Sequence, residues 1–477
     1  MPTEPLRSID RGLLPVGTPS SHPIRPLADT TTPAARTALW SLPSWRHTLL
    51  ATGLTLALAA CGGSGGESGD GEHLGLDSSA DTAELQTHDR TKASPTQAGQ
   101  RRPGTQTAGA SSPSATTAAA SSLPRWTLTS PAEASRFLAQ ASYGSSPKDI
   151  RALTGRTANE WIETQFSRPA TSLLNTMRYW QQRSGRAISL TDAHNAWWYS
   201  TVQQDQLRQR VAFALSQIFV VSTNGDVSHF PKGIASYYDM LARNAFGNFR
   251  QLLEDVTLHP MMGVYLTHIG NHKERFDSTG KLTQAPDENY AREVMQLFTI
   301  GLEQLNLDGT PKKDAQGRPI PTYSNNDVIG LARVFTGWSW NGGRLTHECF
   351  FRAGYCAANT NERETRPMVA YDQYHSTLEK RFLGTTIAEG QSSTTADLKV
   401  ALDTLFNHPN IGPFIGRQLI QRLVTSNPSP AYVRRVASAF NNNGQGVRGD
   451  MKAVIRAVLL DEEARGAHAR KQPSFGR

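Results

Sequence analysis

The sequence predicts a mainly α protein: a large multi-helix domain with a small irregular or hairpin insertion, preceded by a disordered tether. Three observations carry this. From about Arg125 onward, apolar residues recur at helical spacing. Sustained alternation of apolar and polar residues, the mark of strands, is almost absent. Residues 62–122 hold three leucines and no aromatic side chain among Gly, Ser, Thr, Ala, Pro and Gln, too little apolar surface to offset chain entropy. The expected organisation of the 477 residues is a signal region over 1–61, a linker over 62–128, a helical domain over 129–465 and a flexible tail over 466–477. The domain is read as one large body or two tightly packed lobes.

The N-terminal region reads as an export signal. Arg46 precedes an apolar run over residues 49–60, the length of a secretory h-region and too short to span a bilayer. Leu58-Ala59-Ala60-Cys61 looks like a bacterial lipobox, with Cys61 as the lipidated first residue of the mature chain and a Gly/Ser stretch directly after it. The leader is long for such a signal; a non-AUG start such as Val16 would shorten it. The expected location is the bacterial cell envelope, lipid-anchored and facing the periplasm or the exterior. Export leaves Cys349 and Cys356 as an even pair in an oxidising compartment, and "HECFFRAGYC" closes a loop that suits a local disulfide. Zinc is the weaker reading: His347 adds a third ligand type, but no CxxC unit is present.

The helical elements follow in order. "SPKDIRALTG" has Ser146 as N-cap, Pro147 at the first helical position and Gly155 as a stop. "TANEWIETQF" places Thr157 and Glu160 as a capping box. "LRQRVAFALSQIFVVS" lines up Leu207, Val211, Ala214, Leu215 and Ile218, and "GNFRQLLEDVTLHP" lines up Phe249, Leu252, Leu253 and Val256 before Pro260. "DVIGLARVFTGW", "DLKVALDTLFNH", "NIGPFIGRQLIQRLV", "SPAYVRRVASAF" and "MKAVIRAVLL" continue the pattern. Residues 303–325, with Asp-Gly and Gln-Gly punctuation, suit a short hairpin, and 339–394 read as an irregular excursion across the body.

Composition excludes some functions. The formal charge is +8, of which residues 1–61 contribute +2. No basic run interleaved with aromatics exists, so nucleic acid is not an expected partner. There is no nucleophile elbow or phosphate loop: "GGSGG" lies in the tether and "GTTIAEG" lacks the Gly-Lys-Ser/Thr ending. His259, His268, His272 and His375 are too scattered to assign as ligands. His268 and His272 are four apart, but Gly270-Asn271 interrupts the helix that would align them. No metal site is assigned, and the sequence names no cofactor.

The stretch "APDENYAREVMQLFTIGL" is the main candidate for chemistry. Advancing 100° per residue from Glu288 puts Tyr290, Ala291, Val294, Met295, Leu297 and Phe298 on one side. Glu288, Asn289, Arg292, Glu293, Gln296 and Thr299 fall on the other. Asp287, after Pro286, is placed to cap the helix, and Glu288 to Arg292 is an i,i+4 ion pair in the better orientation. Two accounts stand. A solvated face needs nothing more, whereas a face turned into a cleft would desolvate Glu288, Arg292 and Glu293 and perturb their protonation.

"PDENYAREVMQLFTIGL" closely resembles the signature of a bacterial family known as domain of unknown function 1800, Pro-Asn-Glu-Asn-Tyr-Ala-Arg-Glu followed by Leu-Phe-Thr-Leu-Gly. "FLAQASYGSSPKDIRAL" resembles the family's Arg-Ala-Gly-Phe-Gly block, with Ser142 and Tyr143 in place of Gly and Phe. "LLEDVTLHPMMGVYL" and "YSNNDVIGLARVFTGWSW" match further segments. "YHSTLEKRFLG" resembles a His-Asp-x-Gly-x-Lys-x-x-Leu-Gly element, with Ser376 where Asp is usual. The resemblance spans roughly 130–465. It implies an exported protein whose gene often neighbours that of a secreted, Tat-exported protein resembling the sulfatase and alkaline phosphatase fold. It also implies a shared site containing Glu288, Asn289, Arg292 and Glu293, with Asp327, His375 and Lys380 as companions; it carries no established activity. Two functions from different classes follow. One is a lipid-anchored interaction protein that supports a secreted partner. The other is an envelope hydrolase using Glu288 or Glu293 as general acid/base with Arg292 stabilising negative charge.

Overall fold

The helical spacing is realised in seventeen α-helices of the computed structural model, which describes residues 125–342, 345–352, 356, 362–390 and 393–466. Cys61, the leader, the linker up to residue 124 and the tail from 467 lie outside the described residues. The first nine helices are α1 (Pro131–Ala141), α2 (Pro147–Leu153), α3 (Ala158–Ser167), α4 (Leu173–Ser184), α5 (Leu190–Ser200), α6 (Gln206–Ser216), α7 (Pro231–Asn244), α8 (Phe249–Leu258) and α9 (Pro260–Tyr265). The body starts a little earlier than residue 129, because Trp126 and Leu128 are part of the core and Thr127 pairs with Thr157.

Local chemistry sets the ends of these helices. Ser146 and Asp149 form a reciprocal capping box at α2. At α3 only half of the expected box exists: the Thr157 side chain accepts the Glu160 amide, and Glu160 does not reach back. The stripes on α6 and α8 are buried throughout, from Leu207 to Ile218 and from Phe249 to Val256. α8 stops where Pro260 begins α9, with His259 as the cap between them.

α7 is the centre of this half. Ten of its residues are buried, including all of 235–242, and Arg243 alone is exposed. Around it lie α4, α5, α6, α8, α9 and a 3-10 turn at Arg363–Thr365. Asp239 on α7 accepts the Ser172 hydroxyl at 2.6 Å and the amides of Leu173 and Leu174 at 2.7 and 3.2 Å, capping α4 from outside. Burial pushes its carboxyl up, and those donors act against the shift.

The second half contains α10 (Asn289–Gln296), α11 (Asn325–Val334), α12 (His347–Phe351), α13 (Thr394–Asn407), α14 (Ile411–Leu423), α15 (Pro430–Asn441), α16 (Met451–Leu459) and α17 (Glu462–Arg465). Sheet structure among the described residues is limited to three antiparallel pairs. These join β1 (Arg275–Phe276) to β2 (Leu282–Gln284), β3 (Trp338–Ser339) to β4 (Val369–Ala370), and β5 (Lys380–Phe382) to β6 (Thr385–Ile387). The hairpin expected over 303–325 is a looser meander of isolated bridges, Glu303 to Pro321, Leu305 to Pro311 and Lys313 to Pro319. Its prolines, which cannot donate to a ladder, keep it from becoming regular strands. Asn410 seats the meander, accepting the Leu305 amide at 2.9 Å and donating to the carbonyls of Ile300 and Glu303 at 2.9 and 2.7 Å. Within the excursion over 339–394, Cys349 and Cys356 are joined as a disulfide.

α11 lies directly on β5. A Cβ at Gly330 would sit 1.8 Å from the Arg381 carbonyl oxygen, a backbone atom that no rotamer change moves aside. Gly330→Ala is therefore expected to destabilise the protein by about 3 kcal/mol, the upper end of ordinary overpacking costs. The denaturant midpoint measures it; a shift worth under about 1 kcal/mol would mean that the two elements are loosely packed.

Candidate functional site

The start of α10 is fixed from outside the helix. Asn271 brackets the backbone of Asp287, accepting its amide at 2.9 Å and donating to its carbonyl at 3.1 Å. Thr267, held at a positive φ of 60°, donates its hydroxyl to Asp287 Oδ2 at 3.0 Å. Asp287 Oδ1 in turn accepts the Asn289 amide at 2.8 Å, the capping role its position suggests. Thr267 and Asn271 are parts of the site that sequence reading missed, although the Gly270-Asn271 interruption was their trace.

The two-sided character of α10 holds along the helix itself. Tyr290, Ala291, Val294 and Met295 are buried. The Tyr290 hydroxyl lies 2.7 Å from Thr257 Oγ1, and its ring stacks on His268 with centroids 4.0 Å apart. Beyond Gln296 the projection fails: Leu297 is exposed and Thr299 fully buried. The reason is that the helix ends there. Phe298 N donates to Glu293 O, and Ile300 N and Gly301 N both donate to Met295 O, so the chain leaves the 100° spacing.

On the polar side, Glu288 and Arg292 pair at 3.2 Å, with side chains 36% and 42% exposed. A pair so open to water contributes only a few tenths of a kcal/mol. Glu293 differs. Burial pushes its carboxyl above the ordinary range, against the opposing pull of Arg292. Its Oε2 is buried and has no hydrogen-bond partner among the described residues. Tyr323 lies alongside, donating to Gln296 Oε1 at 3.4 Å; burial pushes its phenol up, with Arg292 and Glu293 acting on it in opposite directions. Asn289 is exposed and reaches Thr267 Oγ1 at 3.5 Å.

The proposed companions make their bonds elsewhere. Asp327 is the third residue of α11, and its Oδ2 accepts the amide and hydroxyl of Ser324, both at 2.7 Å. Its Oδ1 accepts the Leu383 amide at 2.7 Å. Burial pushes its carboxyl up, but these donors outweigh it and hold the group below the usual range. Asp327 thus caps one helix and ties it to the turn after β5.

His375 and Lys380 form a second cluster, centred on a residue not singled out in the sequence. Asp397, in the first turn of α13, accepts His375 Nε2 at 3.0 Å and Lys380 Nζ at 2.9 Å on one oxygen. His375 Nδ1 lies 2.8 Å from the Thr336 carbonyl, and Lys380 Nζ donates to the Ser376 carbonyl at 2.7 Å. All three residues are at most 2% exposed. Burial pushes the Asp397 carboxyl up, and the bonds from His375 and Lys380 more than reverse this. Ser376, where the family pattern has Asp, gives its hydroxyl to Glu274 at 2.8 Å; Glu274 also accepts Arg333 Nε at 2.7 Å. The carboxylate beside His375 therefore comes from residue 397, not 376. Buried and bonded to one another, these residues pin β5, α13 and the turn after α11 together.

Of the other candidate histidines, His259 and His268 are internal, and His272 is half-buried with Nδ1 2.7 Å from the Lys273 carbonyl. His259 Nδ1 accepts the Met261 amide at 3.2 Å, and His268 Nε2 faces the Thr257 carbonyl at 2.9 Å. Burial lowers their pKa values to about 3 and about 4. The three candidate zinc ligands are engaged otherwise: Cys349 and Cys356 bond to each other, and His347 Nδ1 meets the Tyr374 hydroxyl at 2.6 Å. Among the described residues no three His, Cys, Asp or Glu side chains converge on a metal position. A shallow depression of about 530 Å³ is lined by Thr385, Asp403, Thr404 and His408 among others, on elements other than α10. Among the described residues no helix is long and apolar enough to cross a membrane.

A family model described as a protein of unknown function, DUF1800, matches residues 136–474. No curated protein and no solved structure matches the chain.

Proposed function

We propose a role for this chain from the premise that it belongs to the DUF1800 family: it is an extracytoplasmic, lipid-anchored helical protein that binds a secreted partner through the polar face of α10. The observation that carries the reading is Glu293. A carboxyl with a buried, unpartnered oxygen, on a face whose ion pair contributes little, is a group left to be satisfied by another molecule. Exposed apolar residues flank this face in the chain, Phe276 and Leu282 before the helix and Leu297 and Leu302 after it. Surfaces of this mixed kind suit protein contacts. The lipobox at Cys61 supports the anchor, and the family resemblance supports a sulfatase- or phosphatase-like protein as the partner.

The second reading, a hydrolase, draws on the raised pKa of Glu293, which suits a general acid. It has less support, because Asp327 and His375 are bonded elsewhere.

Glu293→Gln separates these readings from a merely solvated helix. Affinity capture from the native envelope is expected to recover a secreted sulfatase- or phosphatase-like protein with the parent chain. The variant is expected to lose it while keeping its unfolding midpoint. Equal recovery with both chains would remove the α10 face from the proposal. Turnover of sulfate or phosphate esters by the isolated chain, abolished in the variant, would favour the hydrolase. Intact mass of the mature N-terminus tests the lipid at Cys61 separately.

A further inference from the structure

At the corner of α4 and α5 the protein exposes aromatic side chains that its core does not use. Trp198 is 62% exposed, Tyr179 55%, Tyr199 47% and Val202 75%. Half-buried rings lie beneath them: Tyr199 lies 6.1 Å from Trp180, and Trp198 lies 4.8 Å from Trp197. Trp197 anchors the group inward, against Tyr143 and Phe213. Val202 lies two residues past the end of α5.

The charge around these rings is net positive. Between residues 168 and 204 the chain has four arginines and a single acid, Asp192. That acid is buried and bonded to Arg186. Arg183 lies over Tyr179, with its guanidinium 5.7 Å from the ring and its Nη1 3.4 Å from the hydroxyl. Arg178 reaches Glu362 at 2.5 Å.

We infer that this corner is the face the body lays on an anionic bilayer surface. Trp and Tyr rings with a polar tip partition to the headgroup level, and neighbouring arginines are drawn to anionic lipid. The setting rests on the membrane tether of the reading above. Sixty-three residues separate Cys61 from Arg125, and the face is assigned from surface chemistry alone.

The test uses the full chain with Cys61→Ser, in which Cys349 and Cys356 are bonded to each other, and one added thiol carrying an environment-sensitive fluorophore. Val202→Cys places the probe on the patch; Thr279→Cys and Gln445→Cys place it on exposed turns elsewhere. A C-terminal histidine tag and nickel-chelating lipid hold each chain on vesicles of phosphatidylcholine with phosphatidylglycerol and brominated acyl chains. This makes the result independent of natural lipidation. Quenching is expected to be several-fold stronger at 202 than at 279 or 445, to weaken on vesicles lacking phosphatidylglycerol, and to fall to the control level when Trp198 and Tyr199 are replaced by serine. Equal quenching at all three positions, or a difference that survives loss of the two rings, overturns the inference. Neither result bears on whether Cys61 is lipidated, which the N-terminal mass decides.

Discussion

Asp397→Ala is expected to destabilise the protein by about 3–5 kcal/mol, the cost of leaving a buried charge without its partner. Lys380 is fully buried, and its ammonium would keep the Ser376 carbonyl but lose the carboxylate at 2.9 Å. His375 would lose its bond at 3.0 Å in the same step. A typical domain is stable by only about 5–15 kcal/mol, so the variant is expected to unfold at much lower denaturant than the parent. The double replacement Asp397→Leu with Lys380→Met removes both charges and is expected to recover part of the loss, since apolar substitution of a complete buried pair is often close to neutral. Urea denaturation followed by circular dichroism measures all three proteins. A loss below about 1 kcal/mol for Asp397→Ala would mean that water reaches Lys380 and that the cluster is not the pin described above.

Lowering the pH from 7 to 4.5 is expected to reduce stability by several kcal/mol. His259 and His268 are kept neutral in the folded protein, with pKa values of about 3 and about 4. In the unfolded chain each binds a proton at an ordinary value of about 6.5. Below about pH 6.5 the unfolded state therefore holds more protons, and stability falls as the pH drops. The loss levels off once the pH passes below the folded values. His268→Gln keeps a side-chain donor for the Thr257 carbonyl and removes one titrating group. It is expected to be less stable at pH 7, having lost the stack on Tyr290, but to show a shallower fall towards pH 4.5. Denaturant midpoints at four pH values give the slope. An unchanged slope in the variant would show that His268 is reached by solvent and titrates normally.

The helical body was legible because local rules decide it. Ser146 with Pro147, the stripe from Leu207 to Ile218 and the run from Phe249 to Val256 each specify a helix within a dozen residues. The Cys349–Cys356 pair was legible for a similar reason, as two cysteines close in sequence. Hidden were the features set by distant contacts. The carboxylate beside His375 comes from 22 residues further on, and Asp397 itself looks like an ordinary first-turn acid. Asp327 reads as a candidate base until the Leu383 amide, 56 residues away, occupies its second oxygen. Leu297 and Thr299 depart from the 100° projection because α10 ends at Gln296. Glu293, by contrast, was visible in the signature stretch, although only the fold distinguishes its half-buried carboxyl from that of Glu288.

The enclosure of α7 also constrains how the chain can acquire its structure as it is made. The last part of that enclosure is the turn at residues 363–365, where the Thr365 carbonyl accepts the Ser236 hydroxyl at 3.5 Å. Synthesis must therefore run more than a hundred residues past the helix before its surroundings can be complete. During that interval the Ser236 side of the helix lacks its last cover, an exposed state of the kind that holdase chaperones recognise.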